Sequence, residues 1–179
     1  ALLAHILEIK TKKSFDQYSR ELIMSPLKMN DTYWDLRQVP NAKHSSYYNE
    51  LKNVVPKYQI ITYPDGGLYS SVADMTLYLQ EMIKGYNGKS NILYEDSFKE
   101  MMRKQFYGDN LNDGICWDLS FDGLIGHSGN DFGTATLMYF SPETGIGRIL
   151  FTNISVESEE QEEAFYGIFN AMFASDFNK

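Results

Sequence analysis

GLIGHSGNDFGTATLMYF, residues 123–140, runs from an apolar segment through a polar, glycine-spaced tip into a second segment rich in β-branched and aromatic residues. Two strands joined at that tip is the reading its period supports. Working outward, ICWDLSF (115–121), GLIGHS (123–128), TATLMYF (134–140) and GRILFTN (147–153) form four strand-like runs. The turns between them fall at Phe121-Asp122-Gly123, Gly129–Gly133 and Ser141–Gly147, and connections this short predict an antiparallel meander. The acidic stretch Glu157–Glu163 then leads into Phe165, Ile168, Phe169, Met172 and Phe173, spaced as one face of a helix whose acidic start suits its own dipole. The expected fold class is α+β, an antiparallel sheet meander covered by a C-terminal helix.

Upstream, residues 1–105 read mainly as helices and loop, and 114–179 as strands and terminal helix. ALLAHILEIKTKK places Leu2, Leu3, Ile6 and Leu7 on one helical face with no capping residue before it, so the chain is expected to begin in mid-helix. Ser14 with Gln17 makes a capping box for a helix carrying Phe15, Tyr18, Leu22 and Ile23 and ending near Ser25-Pro26. Residues 29–64 hold Pro40, Pro56 and Pro64 without a sustained period and read as a long ordered loop with short extended pieces. PDGGLYSSVADMTLYLQEMIKG supplies Ser71 as N-cap, apolar Val72, Met75, Leu79, Met82 and Ile83, and Gly85 as C-terminal stop. A shorter helix is expected over Tyr94–Lys104.

The 179 residues, 43% of them hydrophobic and 15% aromatic, suffice for one domain with a sizeable core. A net charge of -8 leaves no basic stripe to neutralise phosphates, which disfavours nucleic acid and anionic membrane surfaces as partners. With one cysteine, Cys116, and three scattered histidines, neither an internal disulfide nor a metal site is expected, and no cofactor is implied. No apolar run reaches the roughly 20 residues of a membrane-spanning helix. At the strand tip His127, Ser128 and Asn130 stand together, while Gly129 lets another backbone approach the edge and Gly133 lets the chain turn away. A plain hairpin whose glycines only satisfy turn geometry fits the same residues.

Several segments, in one order, resemble the serine β-lactamase and penicillin-binding-protein superfamily, in particular its class C branch with related esterases and D-aminopeptidases. ALLAHILEIKTKKSFDQYSRELIMSPLKMNDTYW is similar to that family's helix pair ending in a PLGM-x-x-T segment, and YPDGGLYSSVADMTLYLQEMI to its P-x-GGL-x-S-x-x-D helix start. GICWDL resembles the G-x-GW strand, IGHSGNDFG the H-x-G strand, and GIGRILFTN the closing strand with its terminal Asn. The resemblance implies a β-lactamase/transpeptidase-like fold and acyl transfer: a serine in S-x-x-K attacks a carbonyl, its lysine and the tyrosine of Y-x-N handle protons, and the K-T-G or H-x-G strand completes the site. It implies that His127 faces the site as a polar or proton-handling group, that Ser128 and Gly129 contact substrate, and that the backbone N–H of Asn130 is one oxyanion donor.

Ser25-Pro26-Leu27-Lys28 fits S-x-x-K and Tyr47-Tyr48-Asn49 fits Y-x-N, but 15 serines and 12 lysines yield about one S-x-x-K by chance. In the family that serine opens a long buried helix, whereas Ser25 closes one and Lys28 occupies the glycine position of the PLGM-like segment. The tyrosine motif would stand just before the helix already under way at Ala1. The expectation is therefore the C-terminal portion, residues 1–179, of one β-lactamase-like domain that carries no nucleophile and is inactive alone. A small-molecule or peptide substrate belongs to the parent enzyme, the uncovered sheet would be met by a missing N-terminal segment or by self-association, and an extracytoplasmic or periplasmic location follows from the family. The alternatives are a non-catalytic module binding peptide or peptidoglycan fragments on the same scaffold, and a rearranged site in which Ser25 and Lys28 are real.

Overall fold

The computed structural model describes residues 1–106, 113–120 and 122–174. The chain divides into two compact units, Ala1–Ser45 with Lys57–Glu81, and Ser46–Pro56 with Met82–Lys179.

In the first unit, α1 (Leu2–Thr11) is followed by α2 (Phe15–Ser19), which loosens into one π turn over Arg20–Met24. Ser14 caps α2 by accepting the Gln17 N–H at 3.1 Å, while the Gln17 side chain reaches Glu21 instead of closing the reciprocal half of the box. On the apolar face of α1, Leu2 and Leu3 are more than 70% exposed, Ile6 is exposed and Leu7 is half-buried, and the one buried residue of the helix is Ala4. This unit instead buries Met24, Met29 and Leu79, and adds an aromatic and a polar cluster. Trp34 meets Phe15 and Tyr63 edge-on at 5.2 and 5.7 Å and donates to Ser19 Oγ at 2.9 Å. The fully buried Thr32 donates its hydroxyl to the buried Asp74 carboxylate at 2.8 Å, and the Asp31 N–H donates to the same carboxylate at 2.7 Å. Thus the PLGM-x-x-T-like segment is tied to the first turn of α3 (Val72–Tyr86), whose N-terminus Ser71 caps by accepting the Asp74 N–H.

Helix α2 closes on a Schellman arrangement. Met29 N–H donates to Met24 O, Lys28 N–H donates to Ser25 O, and Lys28 takes the left-handed conformation at φ 60°. A lysine there costs roughly 1 kcal/mol that a glycine does not, only partly offset by the larger unfolded-state entropy of glycine. Lys28→Gly is therefore expected to stabilise the chain by about 0.5–1 kcal/mol, read as a higher denaturant midpoint with an unchanged m-value.

The second unit opens with the hairpin β1 (Tyr47–Tyr48) and β2 (Val54–Val55). At the end of α3, Gly85 is not the stop that its position suggests. Helix α3 runs on through Tyr86 and Gly88 terminates it at φ 68°, with Lys89 N–H donating to Lys84 O and Gly88 N–H to Gly85 O. Gly85 is glycine because a Cβ there would sit 2.3 Å from the ring of Phe98, a fully buried residue of α4 (Glu95–Met101).

The sheet is an antiparallel meander in the order β3 (Asp118–Leu119), β4 (Ile125–Asp131), β5 (Thr134–Phe140), β6 (Gly147–Thr152). β3 is shorter than the run ICWDLSF suggests, because Ile115 and Cys116 form a turn in which Gly114 N–H donates to Trp117 O and Cys116 takes φ 58°. Phe121, placed at the end of that run and in the following turn, lies outside the described residues. The tip differs too. β4 continues through Gly129, Asn130 and Asp131, and only Phe132 and Gly133 make the turn.

Helix α5 (Glu159–Ala174) covers one face of the sheet, where Ala135, Leu137, Val156, Phe165 and Phe169 make the core with Leu150, Met172 and Phe173 packed against it. Ile168, grouped with that apolar face by spacing, is exposed. On the opposite face the fully buried Phe140 meets Tyr86 and Trp117 edge-on at 5.9 and 6.5 Å. The architecture is α+β, an open antiparallel sheet with a C-terminal helix, as its strand periods predict.

Candidate active site

The two-residue loop at the end of β4 fixes which backbone groups face outward. Across such a loop the closing pair, Asp131 and Thr134, is hydrogen-bonded in both directions, and hydrogen-bonded and non-bonded pairs then alternate along the ladder. Gly129–Thr136 and His127–Met138 are therefore bonded pairs, whereas the N–H and C=O of Asn130, Ser128 and Gly126 turn away from β5. Gly126 finds its partner in Asp118 of β3, and the ladder with β3 ends there. Among the described residues no strand pairs with β4 on that side beyond Gly126. Ser128 and Asn130 thus present main-chain donors and acceptors along an open edge.

His127 is exposed on this edge, and its Nδ1 lies 2.5 Å from the outward carbonyl of Ser128. A carbonyl only accepts, so Nδ1 carries the proton and Nε2 is the ring nitrogen left to act elsewhere. Gly129 is exposed, and a Cβ on it would meet the Thr136 hydroxyl at 2.7 Å, so a larger residue would have to turn that side chain aside.

The side chains of Ser128 and Asn130 point the other way. Ser128 hydrogen-bonds the Tyr139 phenol, which donates to Asp118 Oδ2 at 2.9 Å. Burial pushes that phenol well above the usual tyrosine range, and the adjacent Asp118 carboxylate pushes it further. Asn130 Nδ2 donates to Val156 O at 3.0 Å. Of the four residues marked from sequence, His127 and Gly129 present side-chain positions to one face, while Ser128 and Asn130 contribute main chain to the edge.

Gly133 holds φ 82°, and a Cβ on it would fall 2.6 Å from Tyr47 Cβ, so the hairpin β1–β2 seats directly on the turn. Tyr47 is therefore a neighbour of the tip, and burial together with the charge of Asp131 raises its phenol above the usual value. No local pattern in the sequence joins Tyr47 to the tip; the one signal is Gly133, whose missing side chain leaves room for another element. Asn49, the other end of Tyr47-Tyr48-Asn49, uses its side-chain oxygen inside the hairpin turn, accepting from Leu51 and Asn53 N–H. In the first unit Ser25 and Lys28 are both exposed, and no hydrogen bond joins their side chains among the described residues.

No group of three or more His, Cys, Asp or Glu side chains among the described residues could hold a metal ion, and no helix among them is long and apolar enough to cross a membrane. Cys116 is free and exposed.

An open antiparallel sheet backed by a terminal helix, with a glycine-spaced polar strand at its edge, defines a β-lactamase/transpeptidase-like scaffold. The chain belongs to the Beta-lactamase family, whose model matches residues 1–173. Its fold is similar to the octameric penicillin-binding protein homologue from Pyrococcus abyssi, at 25% identity and TM-score 0.73, over 96% of this chain and 40% of that one. It is similar also to a D-stereospecific amidohydrolase from Streptomyces sp., at 19% identity and TM-score 0.68, over 91% and 51% of the two chains. A β-lactamase/D-alanine carboxypeptidase from Pseudomonas syringae matches at 16% identity and TM-score 0.73, over 94% and 56%. The chain thus spans about half the length of these structures. No curated protein matches it.

Proposed function

We propose that this chain supplies the substrate-binding edge and one oxyanion donor of a serine acyl-transfer site acting on β-lactam, D-amino peptide or ester substrates. The observation that carries the reading is the open edge of β4, with the Asn130 N–H turned onto it beside His127. A substrate main chain laid along Ser128 and Gly129 would bring its scissile carbonyl to Asn130. As a serine oxygen adds to that carbonyl, the negative charge developing on the carbonyl oxygen is met by the Asn130 N–H and by the N–H of the attacking residue. His127, whose Nδ1 meets the Ser128 carbonyl on that edge, serves as a polar or proton-handling group.

The attacking serine, its lysine and the Y-x-N tyrosine belong, on this reading, to polypeptide outside these residues. Support comes from the exposed, left-handed Lys28 following a helix end at Ser25, and from the span of about half the related structures. Donors without a positioned nucleophile lower no barrier, so the chain alone is inactive. The outer edge of β6, which pairs only with β5 among the described residues, is where a missing N-terminal segment or a second copy would add a strand. Working outside the cytoplasm goes with the same assignment.

Fluorophosphonate or fluorescent penicillin labelling with intact-mass readout tests the proposal. This polypeptide is expected to stay unlabelled while a longer chain carrying the same segment gains one adduct. An adduct on Ser25 would overturn it. Labelling of neither chain, with measurable peptide binding along β4, would replace it by a non-catalytic peptide- or peptidoglycan-binding module.

A further inference from the structure

The chain leaving β6 passes beneath the β4–β5 turn and grips it at both ends. Asn130 Nδ2 donates to Val156 O at 3.0 Å, and the Gly133 N–H donates to Ser155 Oγ at 2.8 Å. Both anchors are themselves fixed. Val156 is buried in the core under α5, and Ser155, only 1% exposed, donates its own N–H to Tyr48 O at 2.9 Å. Tyr48 N–H in turn donates to Asn153 O, and Asn153 Nδ2 donates to Ser46 O, so the hairpin β1–β2 clamps this segment from the other side.

The end of β4 needs such a brace. Among the described residues it has, from His127 onward, a strand on one side only, and an edge strand held by a single ladder can twist and fray near its turn. The side chain of Asn130 leaves the sheet toward Val156 while its N–H lies in the sheet plane, so holding the one fixes the direction of the other.

We propose that the Asn130 side chain and Ser155 are positioning residues that aim the Asn130 backbone N–H along the open edge. What that N–H does rests on the acyl-transfer reading; how it is held does not. A preorganised donor is worth most when it need not reorient as charge develops, and a displacement of about 1 Å can cost on the order of 100-fold in rate.

Backbone 15N relaxation on this chain reads the restraint directly. Asn130→Ala and Ser155→Ala are each expected to lower the order parameter at residue 130 from about 0.85 to below about 0.7, while the Leu137 and Leu150 amides keep theirs. Asn130 is an exposed strand position, so its alanine variant remains informative even if Ser155→Ala fails to fold. In a labelling-competent longer chain, both changes are expected to slow acylation at least tenfold with probe affinity before acylation unchanged. Unaltered order parameters at residue 130 would overturn the positioning role. Lowered order parameters with an unchanged acylation rate would overturn the aim of that N–H at the reacting carbonyl. A longer chain that never labels would instead sink the acyl-transfer reading, leaving the relaxation result to decide the brace.

Discussion

Phe140→Ala is expected to destabilise the chain by about 3–5 kcal/mol, in the range of large aromatic truncations in well-packed cores. Phe140 is fully buried at the end of β5, on the face of the sheet away from α5. Its ring meets Tyr86, in the last turn of α3, and Trp117, just before β3, and its backbone pairs with Ile125 and Gly147 on the two flanking strands. One residue therefore holds together four pieces of the second unit, and none of them can collapse far into the hole without leaving the sheet. For a chain of this size the melting temperature should fall by roughly 10 °C. Phe140→Leu, which keeps much of the volume, should cost less than half as much. Tyr94→Ala, at a ring 86% exposed, should stay within about 0.5 kcal/mol and serves as the control. A Phe140→Ala loss below about 1.5 kcal/mol by urea titration, under half the low end of that range, would mean that this face of the sheet is not packed as described.

The strands of the second unit are legible because a two-residue period survives in short runs, and because β4, β5 and β6 are joined by loops too short for anything but antiparallel neighbours. Their ends are less so. Gly129 and Asn130 read as turn residues by type, yet they continue β4, since residue type alone does not tell a bend from a strand position with a cross-strand partner, here Thr136 for Gly129. Gly85 reads as a helix stop for the same reason: its smallness serves Phe98, and Gly88 makes the stop. Spacing also groups Leu2, Leu3, Ile6 and Leu7 on one face, but periodicity says that a face exists and not what covers it.

The candidate site divides in the same way. His127, Ser128, Gly129 and Asn130 stand out through one contiguous motif, and the outward direction of the Asn130 N–H follows from the length of the loop after it. Ser155, Val156 and Tyr47 do not, because each reaches the tip through a contact distant in sequence that leaves no local pattern. Setting Ser25-Pro26-Leu27-Lys28 aside is an expectation drawn from helix context, and the structure puts Lys28 at the left-handed position of a Schellman closure.

Gly126→Ala is expected to cost about 3 kcal/mol, far more than a glycine-to-alanine change in an ordinary strand. A Cβ at this position would lie 2.2 Å from Met138 O and 2.3 Å from the ring of Tyr139, both inside the closest approach that real atoms make. The ring cannot simply swing aside. It packs against Phe169 of α5 at 5.5 Å, and its hydroxyl donates to Asp118 Oδ2 at 2.9 Å. Moving it therefore adds a lost hydrogen bond to a carboxylate, about 1.5–3 kcal/mol, to an overpacking strain of about 1–3 kcal/mol, and the two overlap because one ring carries both. Beginning from Tyr139→Ala removes the ring but leaves the carbonyl, so Gly126→Ala should then cost about 1–2 kcal/mol less than in the native chain, a coupling that a double-mutant cycle measures. Zero coupling would show that the ring is not the obstacle. The consequence reaches the open edge, because the β3–β4 ladder is two residue pairs long, Asp118–Gly126 and Leu119–Ile125, and the phenol of Tyr139 on β5 is a further tie to Asp118. Loosening β3 frees Gly126, the residue before His127, and with it the start of the edge on which the proposed chemistry depends.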